Sequence, residues 1–210
     1  MIHISENVYA IPLTKINYLY VIIDKEPVLI DSGLHFPGSG KRILKELQSI
    51  DLGAEHIKHI FLTHHDLDHV GNAAFLQKET GCKIWISKDD MPYVNGELKR
   101  PGIKRFFEIA SHVESPKSIC NYDPSNMMGE FKIIPTPGHT QGHVCILYRD
   151  ILFCGDVFIA KKGRIKLYTG IYTWDKTKLL ESADKLSQIP FTWICPGDSQ
   201  PIQDNRWTQT

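Results

Sequence analysis

Residues 61–71 read Phe61-Leu62-Thr63-His64-His65-Asp66-Leu67-Asp68-His69-Val70-Gly71. Thr63 to Asp66, with Asp68 and His69, are side-chain types that hold metal ions or support their ligands. The preceding apolar run, His59 to Leu62, reads as a buried strand, and Val70 to Thr80 reads as a helix ended by Gly81. A strand that runs into such residues just before a helix places chemistry at a sheet edge. His64 and Asp66 are two apart, so extended backbone turns both to one side. Asp68 and His69 follow where the chain bends into the helix and can face a second point nearby. One short loop can thus feed two adjacent metal ions, with His65 and Leu67 expected to point away.

Working outward, Val8 to Ile30 has the β-branched and aromatic runs of an antiparallel meander: VYAIPL, INYLYVII, a turn at Asp24-Lys25-Glu26-Pro27, then VLID. Asp31-Ser32-Gly33 closes its third strand. Lys41 to Ile50 fits a helix with Ile43, Leu44, Leu47 and Ile50 on one face. His56 to Thr63 and Cys82 to Ser87 read as strands. Lys88 to Gly129 is polar and irregular, a loop with a short helical excursion at Ile103 to Ala110, placed to shape a pocket. Strands resume at residues 131–135 (FKIIP), 144–149 (VCILYR) and 151–154 (ILFC), the last two meeting across Arg149-Asp150. A helix follows from Lys176 to Ser187, capped by Asp175, with Leu179, Leu180, Ala183 and Leu186 as its buried stripe. The strand FTWIC, 191–195, ends in Pro196-Gly197-Asp198. Meanders joined to β-α alternation indicate an α+β fold of two sheets with helices outside them.

The chain has 210 residues and a mass of 24.0 kDa, which suits one domain spanning 1–210. A net charge of +0 gives no general attraction to nucleic acid or an acidic membrane. No basic region precedes an apolar run at the N-terminus, and no segment approaches the ~20 apolar residues of a membrane span. Cys82, Cys120, Cys145, Cys154 and Cys195 contain no CxxC and read as buried reduced thiols, which with the missing leader gives a cytoplasmic expectation.

Three further strand ends carry ligand-type residues. The segment Pro135 to His143 holds His139 and His143; one can bind a metal while the other braces the loop, and spacing does not order them. Gly155-Asp156 offers a carboxylate able to bridge two ions, and Gly197-Asp198 offers another.

In order and spacing these elements closely resemble the metallo-β-lactamase-fold hydrolases, in the branch of hydroxyacylglutathione hydrolases and lactonases. That family's loop reads T-H-x-H-x-D-H, followed by P-G-H-T-x-G-H, a strand ending in G-D and a late P-G-H. Thr63 to His69, Pro137 to His143, Gly155-Asp156 and Pro196 to Asp198 stand in that order here, and Asp31 falls where the family ends an early strand in aspartate. The resemblance implies a four-layer αββα sandwich with a dinuclear site along one edge, and it implies His139 as the ligand of its pair. One metal would take His64, Asp66 and His139; the other would take Asp68, His69 and Asp198, with Asp156 bridging.

Two departures matter. Asp66 stands where the family has its second histidine, and Asp198 where it has its last. Oxygen ligands favour harder ions, so of two divalent ions the expectation is zinc, with manganese or iron competing. The implied chemistry is hydrolysis of an ester-like bond, a lactone or thioester, in a small molecule. A metal-bound hydroxide would attack the carbonyl, and Asp68 would orient or shuttle the proton. The P-G-H-T-x-G-H element points away from β-lactamase activity. Two other classes remain open, a di-iron oxidoreductase needing a separate redox partner and a non-catalytic metal-binding module. Lys161, Lys162, Arg164 and Lys166 could grip an anionic substrate, although a solvated turn is the stronger reading. Tyr168 and Tyr172 could line the pocket or support an oxyanion. His35, His56, His59 and His112 are expected to lie outside the site.

Overall fold

A computed structural model describes residues 1–111, 113–122 and 130–203. His112 and residues 123–129 of the irregular stretch, both discussed above, lie outside the described residues. In chain order the first half runs β1 (Ile2–Ser5), β2 (Val8–Pro12), β3 (Tyr18–Ile22), β4 (Val28–Ile30), α1 (Ser39–Gln48), β5 (His59–Phe61), α2 (Leu67–Val70), α3 (Ala73–Thr80), β6 (Lys83–Ile86), α4 (Met91–Val94), α5 (Lys104–Ser111) and β7 (Ile119–Asn121). The second half adds β8 (Phe131–Pro135), β9 (Val144–Tyr148), β10 (Ile151–Gly155), β11 (Phe158–Lys161), β12 (Arg164–Leu167), α6 (Lys176–Ser187), β13 (Trp193–Pro196) and β14 (Ile202–Gln203).

Strands β1 to β7 form one sheet in sequence order, antiparallel from β1 to β4 and parallel from β4 to β7. A second sheet has the order β14-β13-β10-β9-β8, and β11 pairs with β12 as a separate hairpin. Side-chain parity assigns the layers, because successive residues of a strand point to opposite faces. Along β3, Tyr18, Tyr20 and Ile22 enter the core between the sheets, whereas Leu19 and Val21 enter the core under α1 and α3. Along β10, Ile151 and Phe153 join the central core, whereas Leu152 and Cys154 face α6. The result is an α+β, four-layer αββα sandwich, and strands covered on both faces are apolar at nearly every position.

The helices show what local pattern can and cannot read. In α6 the Asp175 carboxylate accepts from the backbone N–H groups of Thr177 and Lys178, at 2.9 and 3.1 Å, so the cap is as expected. Leu179 and Leu186 are fully buried, each worth about 2 kcal/mol. Leu180, expected in that stripe, is 60% exposed, because it falls one position past the contact line. The helix expected from Val70 to Thr80 is broken into α2 and α3. Asn72 leaves helical geometry to donate to the carbonyls of Ser32 and Leu34, at 2.8 and 3.1 Å, and accepts from the Ser39 hydroxyl at 2.5 Å. Neighbouring Gly71 packs so closely that a Cβ there would lie 2.5 Å from the His35 backbone nitrogen.

The irregular stretch from Lys88 supplies α4, α5 and an edge strand, β7, whose three residues are too few to show alternation. The hairpin β11-β12 was also hidden, because Lys161, Arg164 and Lys166 interrupt its apolar side chains. Among the described residues no helix is long and apolar enough to cross a membrane. Cys82, Cys145, Cys154 and Cys195 are buried free thiols, and Cys120 is half-buried and free.

Candidate metal centre

Strand direction gathers the site. β4 and β5 are parallel neighbours, β10 and β13 are parallel neighbours, and β8 runs parallel to β10 because both pair antiparallel with β9. The segments leaving their C-terminal ends carry Asp31, His64 to His69, Asp156, Asp198 and His139, and these meet at one edge of the sandwich.

Two groups result. The nearest ligand-type atoms of His64, Asp66, His139 and Asp156 all lie within 4.8 Å of one another, as do those of Asp68, His69 and Asp198. In the first group His139 Nε2 is 2.9 Å from Asp66 Oδ2 and 3.3 Å from Asp156 Oδ2, and His64 Nε2 is 3.5 and 4.0 Å from the same two oxygens. In the second, His69 Nε2 is 3.9 Å from Asp68 Oδ2 and 3.3 Å from Asp156 Oδ1. Asp156 therefore turns one oxygen to each group. All seven residues singled out as ligands come together, with Asp68 and His69 lying in α2 rather than in a bend before it.

The far side of two of the three rings is held in place, while His139 Nδ1 is buried without a hydrogen-bond partner. His69 Nδ1 lies 2.8 Å from Asp31 Oδ2, and His64 Nδ1 lies 3.0 Å from the Thr63 hydroxyl. Asp31 also accepts from Thr63 N at 2.8 Å, from a left-handed backbone conformation at φ 61. His143 is a brace: Nδ1 is 2.9 Å from the Thr136 hydroxyl, and Nε2 accepts from Asp156 N at 3.1 Å. Gly197 lets the last strand end pass the site, since a Cβ there would lie 2.2 Å from His69 Cε1. Of the four histidines expected outside, His35 and His56 are exposed, and His59 accepts from Trp85 Nε1 at 2.9 Å.

Asp90 escaped the sequence reading. Fully buried, it accepts from His65 N at 3.1 Å, the Thr140 hydroxyl at 2.7 Å and Gly142 N at 2.8 Å, tying the loop after β5 to the loop after β8. Its only sequence signal was a carboxylate shortly after the strand Lys83–Ile86. His65 turns away as expected, its ring packed 4.3 Å from Tyr93. Leu67 does not point away; it lines the pocket, because it opens α2 on the solvent side of the site.

The electrostatics fit cations. His64 Nε2, His69 Nε2, Asp66 Oδ1 and Asp156 Oδ1 are buried without a hydrogen-bond partner, and such atoms ordinarily have one. Burial, with His69 nearby, lowers His64 to about 4, so it is neutral with a lone pair to offer. Partial burial, then the charges of Asp156 and Asp68, pushes the Asp198 carboxyl up. Burial alone would lower His69, but Asp31, Asp156 and Asp68 together raise it. Unpartnered imidazole nitrogens converging on crowded carboxylates are the donor set that divalent ions satisfy.

A pocket of about 410 Å³ opens over both groups, walled by Leu34, Leu67, Phe107, Ala110 and Tyr172. Lys161, Lys162, Arg164 and Lys166 are exposed on the hairpin and do not reach it. Among the described residues the cations at the pocket are Arg100 and Lys104. Tyr168 also lines it, but its hydroxyl donates to Asp198 Oδ2 at 3.0 Å and its ring stacks on His139 at 5.9 Å. Burial and the charges of Asp156 and Asp198 push the Tyr168 phenol up, so it stays a donor, committed to Asp198.

Residues 12–198 match the family model described as the metallo-beta-lactamase superfamily. The hydroxyacylglutathione hydrolase of Salmonella gallinarum (strain 287/91 / NCTC 13346) is 31% identical over 198 residues, 90% of this chain and 64% of that protein. Its counterpart from Shewanella baltica (strain OS155 / ATCC BAA-1091) is 28% identical over 185 residues, 86% and 60% of the two chains. The chain thus spans about three-fifths of the length of these curated relatives. Among solved structures, TTHA1623 in a di-iron-bound form aligns with a TM-score of 0.72 at 23% identity, over 93% of this chain and 94% of that one. BJP-1, a subclass B3 metallo-beta-lactamase of Bradyrhizobium japonicum, aligns at 0.69 and 20%, over 91% and 75%. With the fold, the ordered strand ends and this match over most of its length, the chain belongs to the metallo-β-lactamase superfamily.

Proposed function

We propose that this chain is a metal-dependent hydrolase of a small-molecule ester-like bond, a lactone or a thioester. The observation that carries the reading is Asp156, with one carboxylate oxygen turned to each group of ligand-type side chains beneath the pocket. Two divalent ions, when bound, would polarise a carbonyl and make water nucleophilic near neutral pH. His64, Asp66 and His139 would hold one, and Asp68, His69 and Asp198 the other. Zinc is the leading candidate, with manganese and iron favoured more than usual by Asp66 and Asp198.

The remaining work falls to the chain itself. Asp68 is half-exposed, as is Asp198, and lines the pocket without the tyrosine bond that occupies Asp198, so it can take up and pass on the proton released by the attacking water. Asp31 and Thr63 fix the rings of His69 and His64, and Tyr168 fixes Asp198, whose side chain is shorter than the family's histidine. The apolar wall lets the substrate body displace water. Thioester cleavage is supported by the curated relatives named hydroxyacylglutathione hydrolase, although this chain covers only part of their length. The reading treats residues 1–210 as one cytoplasmic domain with a small molecule, rather than nucleic acid, as its partner.

A di-iron oxidoreductase is the second reading, favoured by the carboxylate at Asp66 and by the di-iron form of TTHA1623. Protein purified without added metal is to be analysed for metal and assayed on lactones, thioesters, phosphodiesters and β-lactams. Turnover of a lactone or thioester by a colourless protein supports hydrolysis, with Asp68→Ala slowing it by about 10²–10⁴-fold and cutting metal content. Full activity in Asp68→Ala sinks its assignment, and a stable di-iron spectrum without hydrolysis favours the redox reading.

A further inference from the structure

Among the described residues Lys104 is the one lysine that lines the pocket, and most of its side chain is withdrawn from solvent. Its side chain is 11% exposed, and its Nζ lies 2.7 Å from Asp66 Oδ2, itself part of a side chain 11% exposed. That same oxygen is 2.9 Å from His139 Nε2 and 3.5 Å from His64 Nε2. The ammonium therefore reaches the oxygen around which the first group converges. No lysine of the hairpin does this, and a wholly exposed ion pair would mean little. A buried pair is different, since each charge there depends on the other for compensation.

The lysine is also held where it is. Glu108 lies one turn along α5 on the same helix face, and its Oε1 is 3.1 Å from an Arg100 guanidinium nitrogen, while its Oε2 accepts from Arg100 N at 3.3 Å. The same guanidinium donates through Nε and a terminal nitrogen to the carbonyl of His65, at 2.9 and 2.6 Å. His65 is the residue before Asp66. Arg100 and Glu108 thus clamp α5 to the loop that carries Asp66, and the Lys104 charge arrives from the clamped helix.

We propose that Lys104 is a tethered cation that shares Asp66 with the first metal position, making it the weaker and more readily exchanged of the two. This rests on the two-metal reading above. The formal charges support it. The first group has Asp66 and a share of Asp156, and Lys104 offsets one of those charges. The second has Asp68, Asp198 and a share of Asp156, with no lysine or arginine at bonding distance among the described residues. An ion taken up on Asp66 must approach the ammonium or displace it, whereas an ion at Asp68, His69 and Asp198 meets only carboxylates and imidazole. Lys104 thus makes two similar donor sets unequal, and α5 is the element that must yield for the first to fill tightly.

The test is zinc and manganese binding to the full chain by chelator competition at one pH, on wild type, Lys104→Met, Lys104→Gln, Lys104→Arg and Asp198→Ala. Wild type should show a tight and a weak class, and Asp198→Ala should lose the tight one. Lys104→Met and Lys104→Gln should each tighten the weak class by about tenfold or more, the scale expected when a like charge a few ångströms away is removed. They should leave the tight class nearly unchanged. Lys104→Arg, which keeps the charge, should stay weak. Circular dichroism and melting curves identify any variant that fails to fold, and the two neutral variants serve as mutual controls. An unchanged or weakened weak class in folded Lys104→Met and Lys104→Gln overturns the proposal while leaving two metals in place. If wild type binds neither ion, the two-metal reading fails and takes this proposal with it.

Discussion

The two groups of ligand-type side chains share Asp156 and little else. His64, Asp66, His139 and Asp156 are all buried, enclosed by two loops that Asp90 ties together and approached by Lys104. Asp68 and Asp198 are half-exposed at the pocket, and their support is a tyrosine and a ring held by Asp31. One position is built for rigidity and the other for access. Replacing a histidine by aspartate therefore has different consequences in each. At Asp66 the added negative charge meets a lysine, and at Asp198 it meets a phenol that can donate one hydrogen bond but brings no cation.

The sharpest way to break this contrast is to remove what the two groups share. Asp156→Asn should lower turnover by at least about 100-fold, the upper range for losing an outer-shell partner of a metal, and should reduce metal stoichiometry at both positions. Steady-state kinetics with metal analysis read this, and near-normal values would mean that the groups are independent. A change confined to the enclosed group comes next. Asp90→Ala leaves His65 N, Gly142 N and the Thr140 hydroxyl without their acceptor, which should cost about 3 kcal/mol, or roughly 6–12 °C in melting temperature. Urea titration checks it, and a loss below about 1 kcal/mol would show that the loops are not held by this carboxylate. The smallest effect belongs to the hairpin. Lys161→Ala, Lys162→Ala and Arg164→Ala combined should change kcat/KM by no more than about twofold, as for surface positions away from a site. A larger loss would give that hairpin a part in substrate recognition.

Much of the site was legible because ligand-type residues stood at strand ends, where the chain must turn and side chains are free of the ladder. His64, Asp66, Asp68 and His69 lie within a single loop and helix, so their proximity is local. Between His139 and His143, spacing was silent and the family resemblance chose His139. In the fold both ring nitrogens of His143 are engaged, by Thr136 and by Asp156 N, while His139 Nε2 faces Asp66 and Asp156. Tyr168 was read as a pocket wall or an oxyanion donor, and only its bond to Asp198 shows where the proton is spent. The hairpin cations follow Asp156 closely in sequence, which offered a grip on substrate, but they are solvated, the stronger of the two readings, because the β11-β12 pairing carries them outward.

What the sequence determined by itself was a two-sheet layering and six of the convergent side chains, with His139 and His143 left unordered. Strand parity sorts residues between cores without reference to distant parts of the chain, and four candidate ligands within the six positions 64–69 are improbable by chance. Only the tertiary structure decided what surrounds them. Asp90, Arg100 and Lys104 come from a stretch with weak periodicity, and each acts on residues 25 to 52 positions away, or 38 in the case of Lys104 and Asp66. Such contacts depend on the rest of the chain packing first, so nothing in the local sequence announces them. Those three residues set the rigidity and charge of the enclosed position, and they are what distinguishes it from its more open neighbour.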